Sequence, residues 1–348
     1  MELETIWRDC PYLQDLLEQP AAVARTLAGF EEADPVAAYA GRFGAKSFPS
    51  VVLTGMGSSY WACRPLYLRL LAAGFAPVMV ETSELIHYER GWLNPRSLVV
   101  AVSQSGRSAE IVRLMELARG KCVVLGVTNT PDSPLGVEST CTLATRAGAE
   151  HTVSCKTYVA ALLALEWLGD ALCGAAGAPL ADEARAAVEP MRAYLGRWPA
   201  HVAELIPVLD GARHFFIVGR GASVAAAGTG GLILKESTHS HAEGMSAAAF
   251  RHGPLEMVGD AVFVLILEGD ACSAPLSRKL AADIRAVGGR AAVVSPSAQG
   301  VLGLPHAPER MRPLMEILPV EMMTLALAAA KGREPGRFQH STKITEIE

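Results

Sequence analysis

The sequence predicts an α/β protein built from two doubly wound parallel-sheet domains in tandem. One observation is a turn that occurs twice: a buried strand, the pattern G-x-G-x-S and a helix of small residues begin at Val51 and again at Phe215, 164 residues later. The other is that unbroken runs of Val, Leu and Ile alternate with helical segments, which is typical of parallel strands covered on both faces. Similarity at this spacing indicates duplication of one domain.

The first half of the chain alternates between short apolar runs and longer helical patterns. Residues 1–30 read as helical, with Pro20 at a break or in the first turn of a second helix. Strands are predicted at 51–54, 77–81, 98–102, 122–128 and 141–144. Helices are predicted at 59–73, 109–118 and 158–174.

The second half repeats this order after a charged amphipathic helix at 182–198, which we interpret as the connection between the domains. Strands are predicted at 214–218, 262–267 and 290–294, and helices at 223–235, 276–287 and 316–330. The domain organisation that follows is an N-terminal helical segment (1–34), a first domain (35–180), a linking helix (181–200), a second domain (201–330) and a C-terminal tail (331–348).

Composition restricts the class of protein. Half of the 348 residues are apolar and 19% are charged, which is typical of a globular protein with a sizeable core. The net charge of −5 and the absence of any basic run argue against nucleic acid or an anionic membrane as a partner. The N-terminus does not have the pattern of a signal peptide, and the seven cysteines lack C-x-x-C spacing, so we expect reduced thiols and a cytoplasmic location.

Three polar segments of the first domain are predicted to meet beyond the carboxyl ends of its strands, where open α/β sheets bind ligands. These segments are 57–59, 103–108 and 150–154. Clustered hydroxyls at a helix N-terminus suit a phosphate dianion, whereas ordinary N-capping would need only one serine. Neither turn completes G-x-G-x-x-G, so a dinucleotide fits less well. The candidate binding residues are Gly57, Ser58, Ser59, Ser103, Gln104, Ser105, Ser108, Val153 and Ser154.

The second domain has a different polar cluster. Glu236 ends an apolar helix, where a carboxyl group can exchange protons near neutral pH. His252 precedes Gly-Pro and is therefore expected on a sharply turned loop. The pair His239-x-His241 suggests zinc, but no Cys or third His is well placed, so we expect no metal.

These segments resemble tandem sugar-isomerase (SIS) domain proteins, most closely the isomerase half of glucosamine-6-phosphate synthases. The resemblance covers nearly the whole chain and implies flavodoxin-like SIS domains. It rests on ordered motifs: Gly57-Ser58-Ser59-Tyr60, Ser103-Gln104-Ser105-Gly106, the segment 150–156, Leu234-Lys235-Glu236, His241-Ala242-Glu243, His252-Gly253-Pro254-Leu255 and the terminal Lys343.

The resemblance implies roles for individual residues. A sugar 6-phosphate would be held by Ser58, Ser59, Ser103, Gln104, Ser105 and Ser108. Glu236 would carry a proton between C1 and C2 of the sugar, and His252, contributed by the neighbouring subunit of a homodimer, would assist ring opening. Lys343 would reach the sugar carbonyl carbon, either by Schiff base or as a charge. No metal or organic cofactor is implied.

Three departures from the synthases affect the function we expect. A glutaminase domain with its cysteine nucleophile is absent from this sequence, Ile233 stands where the synthases have a lysine, and the tail before Lys343 is different. The preferred interpretation is therefore a glucosamine-6-phosphate deaminase/isomerase that releases ammonia. The alternatives are a deglycase of the fructoselysine-6-phosphate type and a non-catalytic sugar-phosphate sensor.

Overall fold

The computed structural model describes residues 4–5, 7–39, 47–174, 178–340 and 342–343. The predicted N-terminal segment and C-terminal tail lie partly outside these ranges. All seven cysteines lie within them, and none forms a disulfide.

Within these ranges, nine strands form two sheets. The strands are β1 Ser50–Gly55, β2 Ala76–Glu81, β3 Ser97–Val102, β4 Val123–Thr128, β5 Cys141–Ala144, β6 His214–Gly219, β7 His241–Ser246, β8 Val262–Leu267 and β9 Arg290–Val294. The order is β2-β1-β3-β4-β5 in one sheet and β7-β6-β8-β9 in the other. All pairings are parallel, so the predicted fold class is confirmed.

Helices connect the strands in both halves. They are α1 Pro11–Leu17, α2 Gln19–Glu32, α3 Ser58–Ala72, α4 Thr82–His87, α5 Ala109–Ala118, α6 Pro134–Glu138, α7 Lys156–Cys173, α8 Ala178–Leu195, α9 Trp198–Leu209, α10 Val224–Thr238, α11 Ala247–Arg251, α12 Ala274–Ala286 and α13 Arg312–Ala330.

The chain divides into two compact units. The first unit contains residues 19–150 and 154–185 together with the described tail residues 342 and 343. The second unit contains the described residues up to 18, residues 151–153 and residues 186–340. Each unit has one of the two sheets.

The core of the first unit lies on both faces of its central strands. Every residue of β3 is buried, and Val52, Val99 and Leu114 are fully inaccessible to solvent in one apolar cluster with α5. Burial of such side chains stabilises the sheet by roughly 1.5–3 kcal/mol each. The continuous apolar runs in the sequence therefore correspond to strands that are covered on both faces.

The strand order places a crevice next to β1. The chain passes from β1 to β2 on one side, and β3 pairs with the other side of β1, with Gly55 opposite Val102. Loops that leave neighbouring strands in opposite directions diverge at such a switch point and leave room for a ligand. The second sheet has the equivalent arrangement around β6.

Strand β7 was missed by the sequence analysis. It lies at the edge of the second sheet, and its residues His241–Ser246 are mostly half-buried or exposed. A polar edge strand that contains glycine has neither the apolar run nor the regular alternation on which strand prediction depends.

Glycines bring α10 directly against β7. A Cβ atom at Gly231 would lie 2.2 Å from the backbone nitrogen of Gly244, and a Cβ at Gly244 would lie 2.0 Å from the carbonyl oxygen of Ala227. No side chain fits at either position without a shift of the backbone. These two glycines therefore fix the distance between α10, which contains Glu236, and the sheet.

The helix predicted at 182–198 is α8, Ala178–Leu195, and a separate helix that was not predicted, α9, begins at Trp198. The first ends at Leu195, where the N–H of Gly196 donates to the carbonyl of Arg192, and the second begins at Trp198 with Pro199 in its first turn. Glycine is common just after the end of a helix, and proline is common in its first turn. The sequence prediction did not use these two signals.

One described helix, over Glu309–Ala330, would be long and apolar enough to cross a membrane, but 89% of its most apolar window is buried inside the protein.

A carboxyl group is buried beneath the second G-x-G-x-S turn. The side chain of Glu316, on α13, is fully buried, and its Oε1 accepts a hydrogen bond from Ser223 Oγ at 2.8 Å. Its Oε2 has no hydrogen-bond partner among the described residues. Burial raises the pKa of Glu316 to about 7, and the hydrogen bond from Ser223 and the charge of Arg312 oppose part of that shift.

Replacing Gly231 with alanine is expected to destabilise the second unit. The added methyl group would clash with the backbone of β7, and overpacking of this kind outweighs the gain in helix propensity. We expect the midpoint of thermal unfolding, followed by circular dichroism, to fall by about 5 °C. Gly259→Ala is the control because a Cβ there meets no atom within 4 Å. Equal midpoints for both variants would contradict the contact.

Glu316 is expected to make stability depend on pH. Its pKa is raised in the folded protein, so the folded state becomes less stable as the pH rises from 4.5 towards about 7. Compared with Glu316→Gln, the wild type is expected to lose on the order of 3 kcal/mol of unfolding free energy between pH 5 and pH 8, since one pKa unit is about 1.4 kcal/mol. Denaturant titrations at both pH values measure this difference.

The control for this experiment is Glu189→Gln, because the Glu189 side chain is 78% exposed. It should keep the pH dependence of the wild type. If Glu316→Gln also keeps that pH dependence, the buried carboxyl is not its source.

Candidate functional site

The candidate site of the first unit is a cavity of about 120 Å³ beyond the carboxyl ends of β1 and β3. Ser59 comes from the first turn of α3, which follows β1, and Ser103–Ser108 form the loop after β3. The lining residues are Met56, Ser59, Val102, Ser103, Gln104, Ser105, Ser108, Ile111 and Lys343. The structure therefore brings together most of the predicted phosphate-binding residues.

The turn after β1 leads directly into α3. Gly57 precedes the helix, and Ser58 is its first residue. The Oγ atom of Ser58 is buried and has no hydrogen-bond partner among the described residues. Ser58 and Ser59 line a narrow crevice together with Ser154 and Thr157 from the start of α7. A buried hydroxyl without a protein partner is costly, and a polar ligand would satisfy it.

The loop after β3 holds its serines in a fixed arrangement. Ser103 Oγ accepts from the N–H of Gly106 at 3.1 Å, and Ser105 Oγ accepts from the N–H of Arg107 at 3.3 Å. Both hydroxyls therefore keep their hydrogens for donation to another group. Gly106 has φ of 62°, and a Cβ there would lie 2.0 Å from Ser133 Oγ, so only glycine fits the turn.

Ser108 occupies the N-cap position of α5, but its side chain makes no capping hydrogen bond. By contrast, Ser133 and Ser246 do cap their helices, each accepting from a backbone N–H three residues later. Helix capping therefore does not explain the side chain of Ser108. It lines the cavity at a helix N-terminus, where backbone N–H groups favour an anion.

Glu150 is a buried carboxylate in the segment before α7, and it binds the N-terminus of that helix. It accepts hydrogen bonds from the N–H groups of Cys155 and Thr157 at 2.9 and 3.0 Å and from Thr157 Oγ1 at 2.6 Å. Its Oε2 also forms an ion pair with Nζ of Lys343 at 2.6 Å. The predicted tail lysine is thus attached to the same unit as the serine loop.

The other predicted residues lie in the second unit. Glu236 is half-buried in the last turn of α10, and His252 is exposed where α11 ends, followed by Gly253 with φ of 144°. Val153 is fully buried. The helix end and the turned loop on which Glu236 and His252 were expected are both present.

The last turn of α10 is bound by the first part of the tail. Lys331 Nζ donates to the carbonyl of Thr238 at 3.0 Å and to Ser240 Oγ at 2.6 Å. A cation at a helix C-terminus is favourable because the carbonyl groups there carry partial negative charge. Lys331 was not singled out by the sequence, since nothing in its own segment indicates the distant helix end.

The sequence analysis also missed an interaction between Asp15 and His151. Asp15, buried on α1, accepts from the backbone N–H of His151 at 2.7 Å, and its other oxygen lies 3.1 Å from Nδ1 of the imidazole. The two residues are 136 positions apart, so no local pattern could have indicated the pair.

The two G-x-G-x-S turns are chemically different. Ser223, the serine of the second turn, donates to the buried Glu316, and the loop after β8 presents Glu268 and Asp270 where the first unit has serines. Glu268 is paired with Arg278 at 2.7 Å. Because Ser223 already donates to Glu316 and the carboxylate of Asp270 lies beside Gly221, the second turn is less suited to an anion than the first. Across the described ranges, no group of three or more His, Cys, Asp or Glu side chains is arranged to hold a metal ion.

Comparison with known proteins agrees with this architecture. The SIS domain model matches residues 46–169 and 209–301. Glutamine–fructose-6-phosphate aminotransferase (isomerizing) of Pyrococcus horikoshii is 30% identical over 97% of this chain, and that of Mycobacterium tuberculosis is 29% identical over 97%. The chain spans 57% and 58% of the length of these relatives.

Solved structures share the fold over most of the chain. A candidate phosphosugar isomerase from Silicibacter pomeroyi DSS-3 has a TM-score of 0.80 with 27% identity, covering 93% of this chain and 99% of that one. Glucosamine-6-phosphate deaminase from Thermotoga maritima has a TM-score of 0.75 with 19% identity, covering 97% of this chain and 100% of that one. Two parallel sheets, two matched regions and homology to the isomerase half of the aminotransferases show that the chain belongs to the SIS domain family.

Proposed function

We propose that the chain is an enzyme that binds an amino-sugar 6-phosphate and converts glucosamine 6-phosphate to fructose 6-phosphate and ammonia. The observation that carries the proposal is the serine-lined cavity of the first unit. Ser58 Oγ is buried without a partner, Ser108 does not cap its helix, and Ser103 and Ser105 keep hydroxyl hydrogens to donate. A phosphate dianion accepts hydrogen bonds from all of these groups.

The proposed chemistry needs one base and one acid. After ring opening assisted by His252, Glu236 removes the proton from C2 and returns it to C1, which moves the double bond to the C2–N bond. Water then hydrolyses the imine, and ammonia leaves. A positioned carboxylate accelerates such proton transfer by roughly 10²–10⁴-fold. As in the family, we propose that His252 comes from the neighbouring subunit of a homodimer.

We prefer ammonia release to glutamine-dependent synthesis because, by the family resemblance, Ile233 stands where the synthases have a lysine. A protein named as a glucosamine-6-phosphate deaminase has the same fold over nearly the whole chain. A deglycase of fructosamine 6-phosphates would use the same residues on a substrate with a larger amine substituent.

Two assays run side by side test the proposal. One measures ammonia release from glucosamine 6-phosphate, and the other measures glucose 6-phosphate release from fructoselysine 6-phosphate. Ammonia release in the first assay supports the deaminase. Glucose 6-phosphate release in the second assay alone would identify a deglycase, and binding without turnover of either substrate would favour a sensor.

Glu236→Gln is expected to abolish turnover without loss of binding. The amide has almost the shape of the carboxyl group but cannot accept the proton from C2, so kcat should fall by about 10³-fold or more. The affinity for glucose 6-phosphate, measured by calorimetry, should stay within about twofold. Asp260→Asn is the control because Asp260 is an exposed acid of the same unit. Retention of wild-type kcat in Glu236→Gln would remove this residue from the mechanism.

Ser108→Ala is expected to weaken phosphate binding without lowering stability. Loss of one hydrogen bond to a charged group should reduce the affinity for glucose 6-phosphate about tenfold. The thermal midpoint should not change, because the hydroxyl does not cap α5. Ser246→Ala should show the opposite pattern, since that serine does cap its helix. Unchanged affinity in Ser108→Ala would contradict the assigned anion site.

A further inference from the structure

Two histidines of the second unit face each other across neighbouring strands. His214 begins β6 and His241 begins β7, and the two residues are paired in the register of the sheet. Their Nδ1 atoms lie 3.3 Å apart, and the planes of the two rings are inclined by 79°. The backbone N–H of His214 also donates to the carbonyl of Ala261, which fixes the start of β6. Both Nδ1 atoms are therefore directed towards one point at the edge where the strands begin.

The separation of these two nitrogens is that of two ligands on one zinc ion. Zn–N bonds of about 2.0–2.1 Å at tetrahedral angles place two nitrogens about 3.3–3.4 Å apart. Imidazole nitrogens also suit copper and nickel, the other borderline divalent metals. A metal ion can therefore replace the hydrogen bond between the rings without a change in the register of β6 and β7.

Glu243 favours the tautomer of His241 that a metal needs. Its Oε1 lies 3.6 Å from Nε2 of His241, so the carboxylate stabilises a proton on that nitrogen. The lone pair of His241 is then on Nδ1, which accepts from Nδ1–H of His214. When a metal ion binds, His214 carries its proton on Nε2 instead, and both Nδ1 lone pairs face the ion. A carboxylate behind a ligating histidine is common in zinc proteins.

The third histidine of this segment has another partner. Nε2 of His239 lies 3.3 Å from a guanidinium nitrogen of Arg333, and since a guanidinium group only donates, His239 accepts this hydrogen bond. The sequence motif His239-x-His241 therefore does not show the pair that forms. Strand pairing gives His241 a different partner, His214, which is 27 residues away in the chain.

We propose that His214 and His241 bind a divalent transition metal ion of the zinc class through their Nδ1 atoms, with Glu243 as the positioning carboxylate. The remaining coordination positions are left to water, because the described residues contain no group of three or more His, Cys, Asp or Glu side chains arranged for a metal. The ion ties the edge strand β7 to β6 at its first residue and so stabilises the folded second unit. This inference does not depend on the proposed function.

Zinc titrations of the full chain test the proposal. Calorimetry with Zn²⁺ at about pH 7.5, where imidazoles are available as ligands, should show a site that His214→Ala and His241→Ala each weaken at least tenfold. His306→Ala is the matched control, because it removes an exposed histidine of the same unit, and it should bind zinc as the wild type does. Equal zinc affinities in the wild type, His214→Ala and His241→Ala would overturn the proposal, as would binding only at millimolar zinc.

Thermal unfolding gives a second measurement on the same proteins. Zinc at about ten times its dissociation constant should raise the midpoint of the wild type by about 3 °C and leave that of His241→Ala unchanged. Midpoints without zinc show whether each variant is folded, and if one histidine variant is unstable the other decides the point. An equal rise in the wild type and in a folded histidine variant would contradict the site.

Glu243→Gln tests the positioning role of the carboxylate. Both ligands remain, so zinc should still bind, but with about tenfold lower affinity because Nε2–H of His241 loses its charged acceptor. Its thermal midpoint without zinc should equal that of the wild type, since the Glu243 side chain is 48% exposed. Wild-type zinc affinity in Glu243→Gln would show that Glu243 does not position His241.

Discussion

The order of the strands is the constraint on which the rest of the structure depends. In each unit the first strand lies between the second and the third, so the loops that leave the first and third strands diverge at one edge of the sheet. In the first unit this edge receives the turn before Ser58, the serine loop after β3 and Lys343. These groups are distant in sequence, and the parallel topology brings them to one cavity.

The same topology serves a different purpose in the second unit. The hydroxyl of its turn is bound to the buried Glu316, so it is not available to a ligand. Close packing through Gly231 and Gly244 sets α10 against β7, and Lys331 binds the end of that helix next to Glu236. The two units thus share one strand order but differ at their G-x-G-x-S turns. In the proposed function the first unit binds the phosphate, and the second holds the carboxyl group of Glu236 at a fixed helix end.

The sequence was most informative where burial determines the pattern. Eight of the nine strands were predicted to within one residue, most of them as continuous apolar runs, and β7 was missed because it is a polar edge strand. The serine-rich loop after β3 was identified in the sequence because its serines are closely spaced directly after a predicted strand. The ion pair between Glu150 and Lys343 was not, since its members are 193 residues apart. The sequence does not show whether a serine at the start of a helix forms a capping hydrogen bond. Only the structure shows that Ser246 caps its helix and that Ser108 does not.

The central claim is that the first turn, and not the second, binds the phosphate. The most direct measurement is a crystal structure of the protein with bound glucose 6-phosphate. We predict phosphate density against Ser59, the loop Ser103–Ser108 and Lys343, with no phosphate at the turn before Ser223. A phosphate bound at the second turn, next to Glu268 and Asp270, would contradict the account.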